Sequence, residues 1–427
     1  MRLTRRLAPL VLVALVAACA DKDKAKPAEL IEFRSTADLQ RVWSVNLGGN
    51  EPRLRLGLGV DVEGEVIYVA SYGGAVLALN RDDGRRIWRV DSRLNLSGGP
   101  GVGDGLVVVG SANGDILALD AATGEERWKT RVNSEILSSP DVGGGMVVLR
   151  TGDGRLVALR ARDGQQEWAV EQEVPRLSLR GTGRPLVSGG LAVAGFDNGR
   201  VVATQLVDGF TVWENIVAQP AGRTELDRLV DIDTAIVDAG NELYVVTYQG
   251  KAARLDRETG TPLWSRDLSS YSGLTVDDGG VYVSTADGDL VKLDRRTGVE
   301  IWKQGVLVRR RLSPPGLLGN LVAVADFEGY VHFFDRETGE PAARLRPVQA
   351  RVSAPPVVTG DKLVVMDAEG RIAALRIRAT GEEASGAIVR GAAQGGGGGS
   401  SGGGRGGTGT SRTDSPTGFS TRKRPGT

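Results

Sequence analysis

All seven tryptophans of this 427-residue chain fall in one register: Trp43, Trp88, Trp128, Trp168, Trp213, Trp264 and Trp302. They recur at intervals of 38 to 51 residues, and an eighth slot follows at Ala343, where the frame survives without its tryptophan. A period of this length marks a repeat architecture, in which each unit buries its apolar face against the next. The repeat therefore overrides the two or three domains that length alone would allow.

The frame is clearest in GLVVVGSANGDILALDAATGEERW (105–128) and returns in VYVSTADGDLVKLDRRTGVEIW (281–302). A β-branched run such as Val107-Val108-Val109 reads as a buried strand. An Asn-Gly or Asp-Gly pair follows at 113–114, 153–154, 198–199 and 287–288. Such pairs make tight hairpins because glycine takes positive φ without strain. An alternating strand then reaches a corner, Asp120 to Gly124, where the aspartate can bond its own backbone two residues on. The last strand ends in tryptophan, and a fourth strand is expected ahead of each unit, as at 138–142 and 353–357. Four short antiparallel strands per repeat make a propeller blade. A tryptophan present in blade after blade is a core wedge before it is a platform for stacking a sugar or cofactor.

Hairpin units begin near Val66, Leu106, Met146, Leu191, Leu243, Val281, Leu321 and Leu363. The last lacks a tryptophan strand, and the first tryptophan strand, around Trp43, lacks a hairpin. Each completes the other. The expected fold is an all-β, eight-bladed propeller of four-stranded antiparallel blades over residues 39–378. Its ring closes when the N-terminal strand joins the last blade, which removes an exposed sheet edge.

The flanks carry different information. Arg2, Arg5 and Arg6 precede an apolar run, Leu7 to Val16, and then small residues, as in a secretion signal spanning 1–18. The run is shorter than the roughly 20 residues a spanning helix needs. Val16-Ala17-Ala18-Cys19 resembles the bacterial lipobox, which implies lipidation at Cys19 and a charged tether over 19–38. An ordinary signal peptide that happens to contain a cysteine is the alternative. Ala20 after the cysteine, by resemblance to Gram-negative lipoproteins, implies sorting to the outer membrane. From Ala379 the repeat stops, and residues 379–427 are Gly/Ser-rich and basic, ending near Arg422-Lys423-Arg424. Such a segment cannot bury a core and is expected to behave as coil. The sharper reading of it is a basic arm toward anionic lipid or cell-wall polymer.

The formal net charge is zero, so nothing points to a nucleic-acid partner. With one cysteine, Cys19, and one histidine, His332, a Cys/His zinc site is excluded and triad chemistry would rest on His332 alone. His332 lies inside an alternating strand, the setting of a packed side chain. No phosphate loop, metal-ligand cluster or paired-carboxylate motif rises above background, so no cofactor and no metal is expected.

The frame ALDxxTGxxxW resembles the quinoprotein-type (PQQ-like) propeller repeat over roughly 39–378. Two families use it in eight-bladed form: quinone-dependent dehydrogenases and BamB, a lipoprotein of the outer-membrane β-barrel assembly machine. The alcohol-oxidising dehydrogenases are longer and carry a disulfide that one cysteine cannot form. Two segments outside the repeat resemble the BamB family: VPRLSLRG (174–181) and RTELDRLVDIDT (223–234), the second within the longest interval between tryptophans. In that family these stretches contact BamA. The resemblance implies Leu177, Leu179, Arg180, Asp231 and Asp233 as partner-binding residues. Leu177 and Leu179 alternate with Ser178 and so share a side, and Arg180 offers a planar donor fork suited to interfaces. The plain alternative makes the leucines outer-strand core and the aspartates turn formers. The expected function is thus a non-enzymatic scaffold, monomeric within a larger complex and lipid-anchored in the outer membrane on its periplasmic side. It would bind a BamA-type barrel assembly protein through that protein's periplasmic domains, with unfolded outer-membrane proteins as further partners. A quinone-dependent dehydrogenase and a cell-wall or polysaccharide-binding propeller are the competing readings.

Overall fold

The tryptophan frame becomes eight antiparallel four-stranded sheets arranged in a ring. The computed structural model describes residues 26–48, 57–179 and 183–378, together with the backbone of Ile388–Val389. Among these residues no helix occurs. The first blade, inner to outer strand, is Val60–Glu63, Val66–Ala70, Ala75–Asn80 and Arg86–Asp91. The eighth is Val357–Thr359, Lys362–Met366 and Arg371–Ile377, completed by the N-terminal strand Leu39–Asn46. Inner strands of the eighth and first blades also touch, so the ring is closed.

Each tryptophan has two jobs. Its indole Nε1 donates to a backbone carbonyl at the corner of the next blade, at 2.7–3.2 Å in all seven cases, from Trp43 to Arg81 through Trp302 to Arg336. Its ring lies flat against the glycine of that corner. A Cβ on Gly164, which has φ of 71°, would sit 2.4 Å from Trp128, so the corner needs glycine for both conformation and space. The corner aspartate holds the turn: Asp120 accepts the Ala122 and Thr123 amides at 3.0 and 2.8 Å. The Thr123 amide bond is the main cause that holds this carboxyl below its usual value.

Three details differ from expectation. Inner strands start after the Ser-Pro stretches, at Asp141–Gly143 and Val357–Thr359, because Pro140 and Pro356 have no amide to give a ladder. The second blade gains a fifth, parallel strand, Gly57–Leu58, beside Leu96–Gly103. Residues 28–37, inside the stretch read as a tether, are bonded to the ring. Ala28 donates to Val308 at 2.9 Å, Arg310 donates to the Ala28 carbonyl at 3.0 Å, and Thr36 donates to Ala342 at 2.9 Å. The start of this segment serves the junction of blades six and seven, and its end serves the eighth junction. Ala343 leaves a slot that Ala37, Leu39 and Ile377 close, so Ala343 is buried without a tryptophan. The signal segment 1–18, Cys19 and most of the tail 379–427 lie outside the described residues.

Candidate docking face

Antiparallel order places the connections between blades and the Asn-Gly-type hairpins at one end of the ring, and the glycine corners at the other. Two connections stand out by length on the first face: 172–185, between Gln166–Glu171 and Leu186–Ser188, and 217–236, between Thr211–Ile216 and Val237–Asp238. They flank the fourth blade and meet over it.

The joint between them is specific. The Asp231 carboxylate accepts the Leu179 amide. Gly183 is pressed on the other loop so closely that a Cβ would lie 2.6 Å from the Thr234 carbonyl oxygen. Asp231 is 1% exposed and lies beside a buried ion pair, Arg150 with Asp197, whose guanidinium stacks 4.9 Å from the Phe196 ring. Burial pushes the Asp231 carboxyl up to about 6, and Asp197 adds to the rise against the Leu179 amide and Arg150. The far loop is turned by Thr224 and Asp227, each accepting the other's amide at 3.1 and 3.0 Å.

Exposed apolar side chains stand on both loops among charged ones such as Arg176, Glu225 and Arg228. Val174 and Leu177 are exposed on one loop, and Leu226, 64% exposed, tips the other. Soluble surfaces carry scattered leucines without consequence, but here the exposed apolar residues stand on two loops bonded to each other, and together they make a candidate patch. The expected site residues therefore separate. Leu177 is exposed, Leu179 is half-buried because its amide is held, Asp233 is half-buried and Asp231 is buried. Asp231 braces the loops and does not offer its charge at the surface. Arg180 lies outside the described residues. The sequence reading missed Arg150. Its signal was present: the same position holds Ala70, Gly110, Gly195 and Ala325 in other blades, and a lone arginine there breaks the pattern.

His332 is buried and bonded to Asp326 at 3.0 Å, and Arg310 reaches the same carboxylate at 2.7 Å. Burial alone would raise Asp326, but the bonds from His332 and Arg310 hold it below the usual carboxylate range. Burial pushes the imidazole down despite Asp326. This is an internal brace beneath the segment carrying Ala28. Among the described residues no cluster of three or more His, Cys, Asp or Glu could hold a metal.

Fold and face together define an eight-bladed propeller of quinoprotein-type repeats with a two-loop apolar patch at one end. A quinohemoprotein alcohol dehydrogenase from Comamonas testosteroni shares that ring with a TM-score of 0.61 at 16% identity, over 82% of this chain and 78% of its own, which is a likeness of fold alone. A family model for the outer membrane protein assembly factor BamB matches residues 34–93, 73–304 and 286–384. The outer membrane protein assembly factor BamB of Pseudomonas aeruginosa is 43% identical over 376 residues, covering 88% of this chain and 99% of that protein. The crystal structure of BamB from Moraxella catarrhalis superposes with a TM-score of 0.73 at 28% identity, over 79% of this chain and all of that one. The chain belongs to the BamB family.

Proposed function

We propose that this chain is a non-enzymatic scaffold of outer-membrane protein assembly that docks a BamA-type barrel assembly protein on the face of the fourth blade. The joined loops carry the proposal. The Asp231 carboxylate on the Leu179 amide fixes two connections against each other and leaves Val174, Leu177 and Leu226 in solvent. A pre-ordered apolar patch loses little entropy on binding, which suits a scaffold. Asp231 and Asp233 act from beneath, and Arg180, outside the described residues, is retained as a partner-binding residue from the family resemblance. Lipidation at Cys19 anchors the chain to the outer membrane, with the propeller on the periplasmic side. Each BamB relative carries in its name a role in outer membrane protein assembly, which supports the same reading.

Two features count against a quinone enzyme of the same fold. The one histidine is locked on Asp326, and the ring axis is bridged by protein side chains, described below. The test is retention of periplasmic proteins by the mature chain, run beside a Leu177→Ala/Arg180→Glu variant of equal melting temperature. Retention of a BamA-type protein by the first and its loss by the second supports the reading. Equal retention by both moves the site elsewhere, and dye reduction with added quinone and calcium would overturn the scaffold.

A further inference from the structure

The loop 172–185 ends in a contact outside the docking face. Arg184 lies two residues before the inner strand of the fourth blade, Leu186–Ser188. Its Nη2 is 2.7 Å from Asp141, on the inner strand of the third blade, and 3.0 Å from Asp61, on the inner strand of the first. The first and fourth blades are not neighbours, so the side chain crosses the central channel. Each carboxylate is already tied to a neighbouring inner strand: Asp61 accepts the Val102 amide at 3.1 Å, and Asp141 accepts the Val187 amide at 2.7 Å. Arg184 thus joins blades one and two to blades three and four across the axis. Burial alone would lower the pKa of its guanidinium, and the two carboxylates reverse that effect and raise it.

We propose that Arg184 is a positioning residue for docking: the axial bridge fixes the base of loop 172–185, and so fixes the Leu179–Asp231 joint and the apolar patch above it. This rests on the docking role assigned to that face. Gly183, next to Arg184, is pressed on Thr234, and Asp231 three residues before Thr234 holds the Leu179 amide, so a displaced base would disturb the joint through these contacts. Loops held at both ends by buried or part-buried groups open only with the groups that hold them. The other long connection, 217–236, is held by its own buried Leu229, Val230 and Ile232 and meets the first through Asp231.

The test uses the mature chain and two variants. Arg184→Gln removes the bridge. Arg184→Gln/Asp61→Asn removes it without leaving two facing carboxylates, which guards against loss of the fold by repulsion. Amide hydrogen exchange is read in the free proteins, and affinity is read against the periplasmic domains of a BamA-type protein. The proposal expects exchange at 173–179 and 229–234 to quicken at least tenfold in both variants, with blades six to eight unchanged, and affinity to fall roughly tenfold, a coupling of ordinary size. Unchanged loop exchange with a lower melting temperature would make Arg184 a ring brace only and overturn the proposal. Faster loop exchange with unchanged affinity would overturn it too. If the unaltered chain binds no BamA-type protein, the docking role itself falls, while the exchange result still decides what Arg184 positions.

Discussion

Two departures from the repeat, at the eighth junction and over the fourth blade, are treated differently. At the eighth junction, where Ala343 replaces tryptophan, the chain fills its own gap: Ala37 and Leu39 pack on Ala342 and Ala343, and Arg344 covers Phe33 at 5.5 Å. Over the fourth blade the two long loops are pinned as firmly, yet Val174, Leu177 and Leu226 stay in solvent. An irregularity that the chain fills is architectural. An irregularity that leaves apolar side chains uncovered is where we propose that a partner docks.

The largest effect tests the regular junctions against which both departures are measured. Trp168→Ala should cost about 3–5 kcal/mol in urea unfolding, the loss of a buried aromatic with its cavity. A cost under about 1 kcal/mol would mean that the tryptophans are not the wedges. Next, joining residue 25 to residue 38 removes the filler of the eighth slot, and should cost about 2–3 kcal/mol through lost apolar burial. Ala343→Trp should destabilise the intact chain by about 1–3 kcal/mol through overpacking. In the shortened chain the same substitution should stabilise. The reversal of sign is what the comparison predicts, and a substitution that destabilises both chains breaks it.

A smaller effect separates bracing from binding at the other departure. Asp231 has its native carboxyl pushed up to about 6 by burial. An acid raised in this way keeps its proton longer in the folded state, so stability falls as pH rises from about 4 to about 6. Asp231→Asn keeps an acceptor for the Leu179 amide and has no charge to bury. It should be more stable than the unaltered chain by about 1–3 kcal/mol at pH 8 and equal to it at pH 4. A loss of stability that grows as pH rises would contradict this and show that the charge is paired in the folded state. The smallest effect on stability belongs to Leu177→Asp/Leu226→Asp, which should stay within about 0.5 kcal/mol per site because both side chains are solvated. A large loss in that pair would mean that the patch is core.

The ring itself was legible because everything that makes it is short-range and periodic. Trp128, the Asp120–Gly124 corner and Asn113-Gly114 recur as a unit, and the unmatched strand around Trp43 announced closure. The docking loops were legible only as interruptions with a family resemblance. Their chemistry was not, since the burial of Asp231 depends on Arg150 and Asp197, which reach it from the third and fourth blades. Arg184 was invisible for the same reason: nothing local tells that Asp61 lies across the axis from it. Residues 28–37 carry no period at all, and their apolar members look like a charged linker's scatter until Ile31 and Phe33 are seen beside Ala343 and Leu30 beside Trp302.

The uncovered patch over the fourth blade is proposed to meet a BamA-type protein. The most direct measurement places a photoreactive side chain at position 177, at 226, and at Leu263 on the exposed outer strand of the fifth blade as a control, and identifies the adducts formed in cells. The account predicts a BamA-type adduct from 177 and 226 and none from 263. An adduct from 263 alone would contradict it.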